Sequence, residues 1–124
     1  MPGSNKDWSY ILMPLPGAEN SAFSVNHGAG RNMSRSEAMR TLDQSKINAD
    51  YEKEGVLVNT DGMVPLDESS GCYKSSDEVI KAVTAAGLAR IEHHLWPLSS
   101  IKGTDERGWR KKKGKGKRHT SKHY

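Results

Sequence analysis

A chain of 124 residues with 34% hydrophobic content and a mean hydropathy of −0.79 has material for one modest domain and no large core. Its single cysteine, Cys72, rules out an intramolecular disulfide scaffold, and no stretch approaches the roughly 20 apolar residues of a membrane span. The net charge of +4 is unevenly spread: residues 1–102 hold ten Lys/Arg against thirteen Asp/Glu, and residues 103–124 hold nine against two.

The opening Met1-Pro2-Gly3-Ser4-Asn5-Lys6-Asp7 lacks the basic flank and apolar run of a signal peptide, so a soluble, cytoplasmic protein is expected. Trp8 to Met13 is rich in aromatic and branched residues and stops at Pro14 and Pro16, which predicts a strand and a turn. Ala22 to Val25 reads as a second short strand, able to pair with the first as a hairpin. That hairpin would lead straight into Asn26-His27-Gly28-Ala29-Gly30-Arg31.

Ser34 and Glu37 fit a capping box, with Ala38, Met39 and Leu42 as an apolar stripe, predicting a helix from about Arg35 to Lys46. Gly55 to Asn59 reads as a strand, Asp61-Gly62 as a turn and Met63 to Leu66 as a short return or edge segment, together able to form a small hairpin. Ser75 and Glu78 form a second capping box ahead of Val79, Ile80, Val83 and Ala86, and Gly87 stands where helices end. Ala89 to Trp96 alternates like a half-buried strand and ends at Pro97. The fold class is α+β, with short strands and two main helices over residues 1–103. From Arg110 onward eight Lys/Arg and no acid leave residues 104–124 too charged to pack, so a disordered basic tail is expected.

Chemistry concentrates at His27. Flanking glycines remove bulk around the imidazole and let a phosphate approach backbone N–H groups, while Arg31 offers a forked donor. The capped helix after it could add its positive N-terminal end. A neutral imidazole is also a nucleophile that needs no activating base, and attack on phosphorus would give a phosphoramidate. Taken alone, so short a glycine-rich string reads first as a tight turn whose histidine caps a backbone group.

The longer string Asn26-His27-Gly28-Ala29-Gly30-Arg31-Asn32-Met33-Ser34-Arg35 resembles the guanylylation motif of the RtcB family of RNA ligases. Pro2-Gly3-Ser4, Ser9-Tyr10, Asp67-Glu68, Cys72-Tyr73-Lys74, Leu95-Trp96-Pro97 and Ile101-Lys102-Gly103 follow in the family's order, so the resemblance covers residues 2–103. It implies the C-terminal part of the RtcB-type fold and a covalent guanylyl adduct on His27. Gly28, Ala29, Gly30 and Arg31 would surround phosphate and ribose, and Ser4, Tyr73 and Lys102 would complete a guanine pocket. GTP is the implied cofactor, and RNA the partner, as tRNA halves or broken strands. The manganese ligands of the family resemble nothing in this chain and would come from an upstream fragment, without which the chain is expected to be inactive.

Each residue also has a plainer structural role: Tyr73 as core packing, Ser4 as a turn residue, Lys102 as a solvated lysine. The family often has Arg where Trp96 stands, and a Pro-containing approach where Ser69-Ser70-Gly71-Cys72 stands. His93 and His94, adjacent on a strand, would face opposite sides and hold no common ion. His119 and His123 could chelate a metal only from an ordered helix, which their Gly- and Lys-rich surroundings disfavour. The tail, with Trp109 and Tyr124, could bind RNA phosphates and stack bases, or serve only as a solubilising tether. A noncatalytic RNA-binding module and an inactive truncated remnant are the competing readings.

Overall fold

A computed structural model describes residues 1–59 and 63–102. The expected Asp61-Gly62 turn, and the basic tail with Trp109, His119, His123 and Tyr124, lie outside the described residues. The architecture is mixed α and β: strand β1 (Ser9–Pro14), helices α1 (Arg35–Thr41) and α2 (Gln44–Lys53), strand β2 (Leu57–Val58), helix α3 (Ser76–Ala85), and strands β3 (Ala89–Leu95) and β4 (Ser99–Ser100). Three short 3-10 turns, Pro16–Ser21, Leu66–Glu68 and Ser70–Cys72, connect them. No helix among the described residues is long and apolar enough to cross a membrane.

The strand at β1 forms as expected, but its partner is β3, about eighty residues on, in an antiparallel pair with a bulge between Ile11 and Leu12. The expected strand at Ala22–Val25 and its hairpin do not form. After Pro16 the chain coils instead: the Phe23 and Ala22 amides donate to Ala18 O (2.8 Å) and Glu19 O (3.1 Å). Ala22 and Phe23 are thereby forced to φ of 53° and 56°, outside the extended region.

The single helix expected over Arg35–Lys46 is two. Ser34 accepts from the Glu37 amide at 3.1 Å, as its capping box requires. Leu42, however, turns extended, and the Asp43 carboxylate caps a new start by accepting from the Lys46 amide at 3.0 Å. This α2 carries only two well-spaced apolar anchors, Ile47 and Tyr51, which is why its periodicity escapes notice. Helix α3 follows expectation, with Ser75 capping it, although through the Asp77 amide rather than Glu78. It ends in a paired exit, in which the Gly87 amide donates to Thr84 O and the Leu88 amide to Val83 O, with Gly87 at φ 69°.

The return or edge segment expected at Met63–Leu66 does not pair as a hairpin with β2, which pairs instead with β4, in parallel, Leu57 opposite Ser99 and Val58 opposite Ser100. Val56, Val58, Val64 and Tyr51 form a buried cluster, with Ile47 and Trp96 packed against it. Tyr51 fastens this core to two distant segments, because its hydroxyl donates to Asn5 Oδ1 and accepts from the Ser70 amide at 2.8 Å. β3 is less buried than its alternation suggests: past Ala89 it is exposed, and Ile91 and Leu95 lie open to solvent. Cys72 is fully buried, its thiol donating to Leu66 O at 3.1 Å.

Candidate functional site

The glycine-rich segment is tied to the Tyr73 region by a short antiparallel bridge between Arg31 and Tyr73. The Asn32 amide donates to Cys72 O and the Lys74 amide to Gly30 O, both at 2.9 Å. Two landmarks some forty residues apart therefore share one wall. Gly30 stands at φ 81°, a conformation that a side chain resists, and this turn presents the loop before it to the open side.

That wall borders a cavity of about 620 Å³. Small-molecule sites commonly span roughly 300–1,000 Å³. Four segments close it: Pro2 to Asn5, Asn26 to Gly30, Glu68 with Tyr73, and the run Pro97, Ser99, Ser100 and Lys102. Of the residues singled out in the sequence, Ser4, His27, Gly28, Ala29, Gly30, Tyr73 and Lys102 all line it. The His27 side chain is exposed, and a Cβ placed on Gly28 would meet nothing within 4 Å, so the approach to the imidazole is open.

Arg31 lies elsewhere. Its guanidinium lies behind the cavity wall, where Nε donates to Met33 O at 3.1 Å and Nη1 donates to Asp67 O at 2.8 Å and Tyr73 Oη at 3.1 Å. The remaining nitrogen, Nη2, is buried without a partner among the described residues. Helix α1 likewise contributes a side chain rather than its N-terminal amides: Arg35 pairs with Glu68 and, at 3.3 Å, with Asp67.

Glu68 is a charged cavity residue to which the sequence attached no role. Its carboxylate accepts from Tyr73 Oη at 2.6 Å on one oxygen and from Arg35 on the other. Burial alone would raise its pKa, but the Tyr73 hydroxyl, the Arg35 guanidinium and the nearby Lys102 ammonium outweigh that and hold it below the ordinary carboxylate value. Burial, joined by the same contact, raises the Tyr73 phenol, with Arg31 partly offsetting. The only hint in the sequence was the Asp67-Glu68 pair shortly before Tyr73.

The groups around the cavity suit a purine nucleotide. A hydroxyl at Ser4 and an ammonium at Lys102 can address polar ring atoms, Tyr73 offers an apolar face, and the glycine loop leaves room for phosphate at His27. A metal ion does not fit on the same ground, since no group of three or more His, Cys, Asp or Glu capable of holding one occurs among the described residues. His94 lies opposite Tyr10 and stacks on Trp8 at 4.6 Å, while His93 lies opposite Ile11, so the two point to opposite faces of β3.

The family model described as tRNA-splicing ligase RtcB matches residues 1–103. The chain is 37% identical over 105 residues to the tRNA-splicing ligase RtcB of Pyrococcus horikoshii, covering 83% of this chain and 12% of that protein. The corresponding ligase of Archaeoglobus fulgidus is 37% identical, covering 83% and 22%. The RNA-splicing ligase RtcB of Mycobacterium tuberculosis is 38% identical over 104 residues, covering 83% and 24%. The chain therefore spans less than a quarter of the length of these relatives. With the family model covering its whole described length, the chain belongs to the RtcB family.

Proposed function

We propose that this chain is the nucleotide-carrying part of an RNA ligase that joins 3′-phosphate or 2′,3′-cyclic phosphate ends to 5′-hydroxyl ends, as in tRNA splicing or RNA repair. The observation that supports this reading most is the exposed His27 imidazole at the edge of a nucleotide-sized cavity also lined by Ser4, Tyr73 and Lys102. A ring nitrogen of His27 attacks the α-phosphorus of GTP, forming a P–N bond as pyrophosphate leaves. The histidine then gives the guanylyl group to an RNA 3′-phosphate, and a 5′-hydroxyl displaces GMP to seal the strand. Gly28 and Gly30 keep bulk away from the phosphate, Ser4 and Lys102 address the guanine, and Tyr73, fixed by Glu68, packs against the base.

The family's manganese is not held by the described residues, so an upstream RtcB portion supplies it, together with the metal's neutralisation of phosphate charge. Residues 1–103 act as the ligase part and residues 104–124 as an appended basic segment. The test mixes the chain with a protein carrying the upstream metal-site portion and GTP labelled on its α-phosphate. Wild type takes up label and ligates RNA ends, whereas His27→Ala does neither; a verified complex that stays unlabelled refutes the reading.

The charge of residues 103–124, nine Lys/Arg against two acids, favours a second reading as a noncatalytic RNA-binding module. On that reading RNA affinity survives His27→Ala and collapses when residues 104–124 are deleted, with a steep salt dependence.

A further inference from the structure

Lys102 belongs to a segment that packing secures poorly. Its neighbour Ile101 is 89% exposed and Leu98 is 80% exposed, so apolar contacts do not fix the wall that runs from Pro97 to Lys102. Backbone pairing holds its first part: the Leu57 amide donates to Leu98 O at 3.0 Å, and the Asn59 amide donates to Ser100 O at 3.2 Å. Beyond Ser100 that ladder has ended. There the Asn59 side chain takes over, its Oδ1 accepting from the Lys102 amide at 2.8 Å.

Asn59 is an unusual residue for this place. It is polar yet only 8% exposed, and its φ of 54° lies in the left-handed region. Asparagine tolerates that region better than other non-glycine residues, and its short amide can hydrogen-bond the backbone. The left-handed turn ends β2 and coincides with the point where the side chain, rather than the main chain, meets the neighbouring segment.

We propose that Asn59 is a positioning residue for the nucleotide cavity: its side-chain carbonyl pins the Lys102 backbone and so sets the lysine ammonium on the guanine edge of the bound nucleotide. This deepens the function proposed above and rests on that reading of the cavity. Asn59 touches no ligand itself and acts only through Lys102. A carbonyl or carboxylate at this position would suffice, whereas a residue that fits the backbone but lacks an acceptor would leave the lysine free to wander.

Binding of GTP and of ATP to the full chain, measured by titration calorimetry, tests this with four variants. Glycine suits the positive φ, so Asn59→Gly removes the acceptor without adding strain. It is expected to weaken GTP roughly fivefold to tenfold and ATP less, so that the preference for guanine narrows. Asn59→Asp keeps an acceptor and is expected to bind GTP within about twofold of wild type. The double variant Asn59→Gly with Lys102→Ala is expected to bind no more weakly than Lys102→Ala alone, because the two residues act in series. Wild-type affinity in Asn59→Gly, equal loss for both nucleotides, or full additivity in the double variant would overturn the assignment of Asn59 alone. Absence of GTP binding by wild type, or no effect of Lys102→Ala, would instead remove the nucleotide reading of the cavity, and this inference with it.

Discussion

Glu68 stands between a phenol and a guanidinium, and both contacts strengthen when its carboxyl is ionised. Its folded pKa is depressed, so its stabilising contribution is fully present above the unfolded carboxylate value and is lost as pH falls through the lower folded value. Tyr73 has the opposite sign: its raised phenol pKa gives a contribution present below the ordinary tyrosine value and lost as pH rises through the folded one. The cavity wall is therefore most secure across the neutral range. Glu68→Gln is expected to cost about 1–2 kcal/mol at pH 7, discounted for the half-exposed Arg35. It should also flatten the acid limb of a melting-temperature profile, where pH falls from the ordinary carboxylate value through the lower folded one. Thermal melts of both proteins across that range check both effects, and parallel profiles would show that the Glu68 charge carries no stability.

At the scale of elements, what could be read from the sequence was whatever depends on near neighbours. Helix α3, its serine cap and its glycine exit are all signalled within a dozen residues, and β1 and β3 stand where aromatic and branched residues stop at prolines. The partners of the strands were not legible, because β1 pairs across some eighty residues and nothing local distinguishes that choice from a hairpin with Ala22–Val25. Nor was the wall network: Arg31, Arg35, Glu68 and Tyr73 meet only because a bridge brings Gly30–Asn32 beside Cys72–Lys74. Seven of the eight residues singled out in the sequence line the cavity, and Arg31 turns away because Met33 O, Asp67 O and Tyr73 Oη capture its guanidinium. A tie of the same long-range kind starts α3, where Asp7 Oδ2 accepts from the Ser76 amide at 2.8 Å while Ser76 is fully buried. Removing that acceptor leaves a buried donor unpaired, so Asp7→Ala is expected to cost about 2 kcal/mol. Ser75→Ala, which loses only a 3.3 Å contact, should cost about 1 kcal/mol or less. Urea denaturation midpoints of the two variants give the comparison.

For the whole molecule, the outward face of the β1–β3 ribbon presents Ile11, Met13 and Leu95, and Phe23, Leu57 and Leu98 are also exposed. A two-stranded ribbon with an apolar exposed face is prone to associate with whatever covers it. The chain spans 12–24% of the length of the three relatives compared above, and we propose that the upstream portion invoked for the ligase covers this surface. The isolated chain is expected to self-associate as its concentration rises and to bind a hydrophobic dye, and both should fall when the upstream portion is added. Sedimentation velocity over a concentration series measures this, and a sharp monomer throughout would show that the ribbon needs no cover.

Cys72 is the sole thiol of the chain, wholly shielded, and one residue removed from the phenol at the cavity. Alkylating reagents can reach it only when the segment carrying Tyr73 lifts from its seat, so the rate of labelling times that local breathing directly. Nature has thus left a clock under the cavity floor: any ligand that settles against Tyr73 should slow it, without a fluorophore or an engineered label.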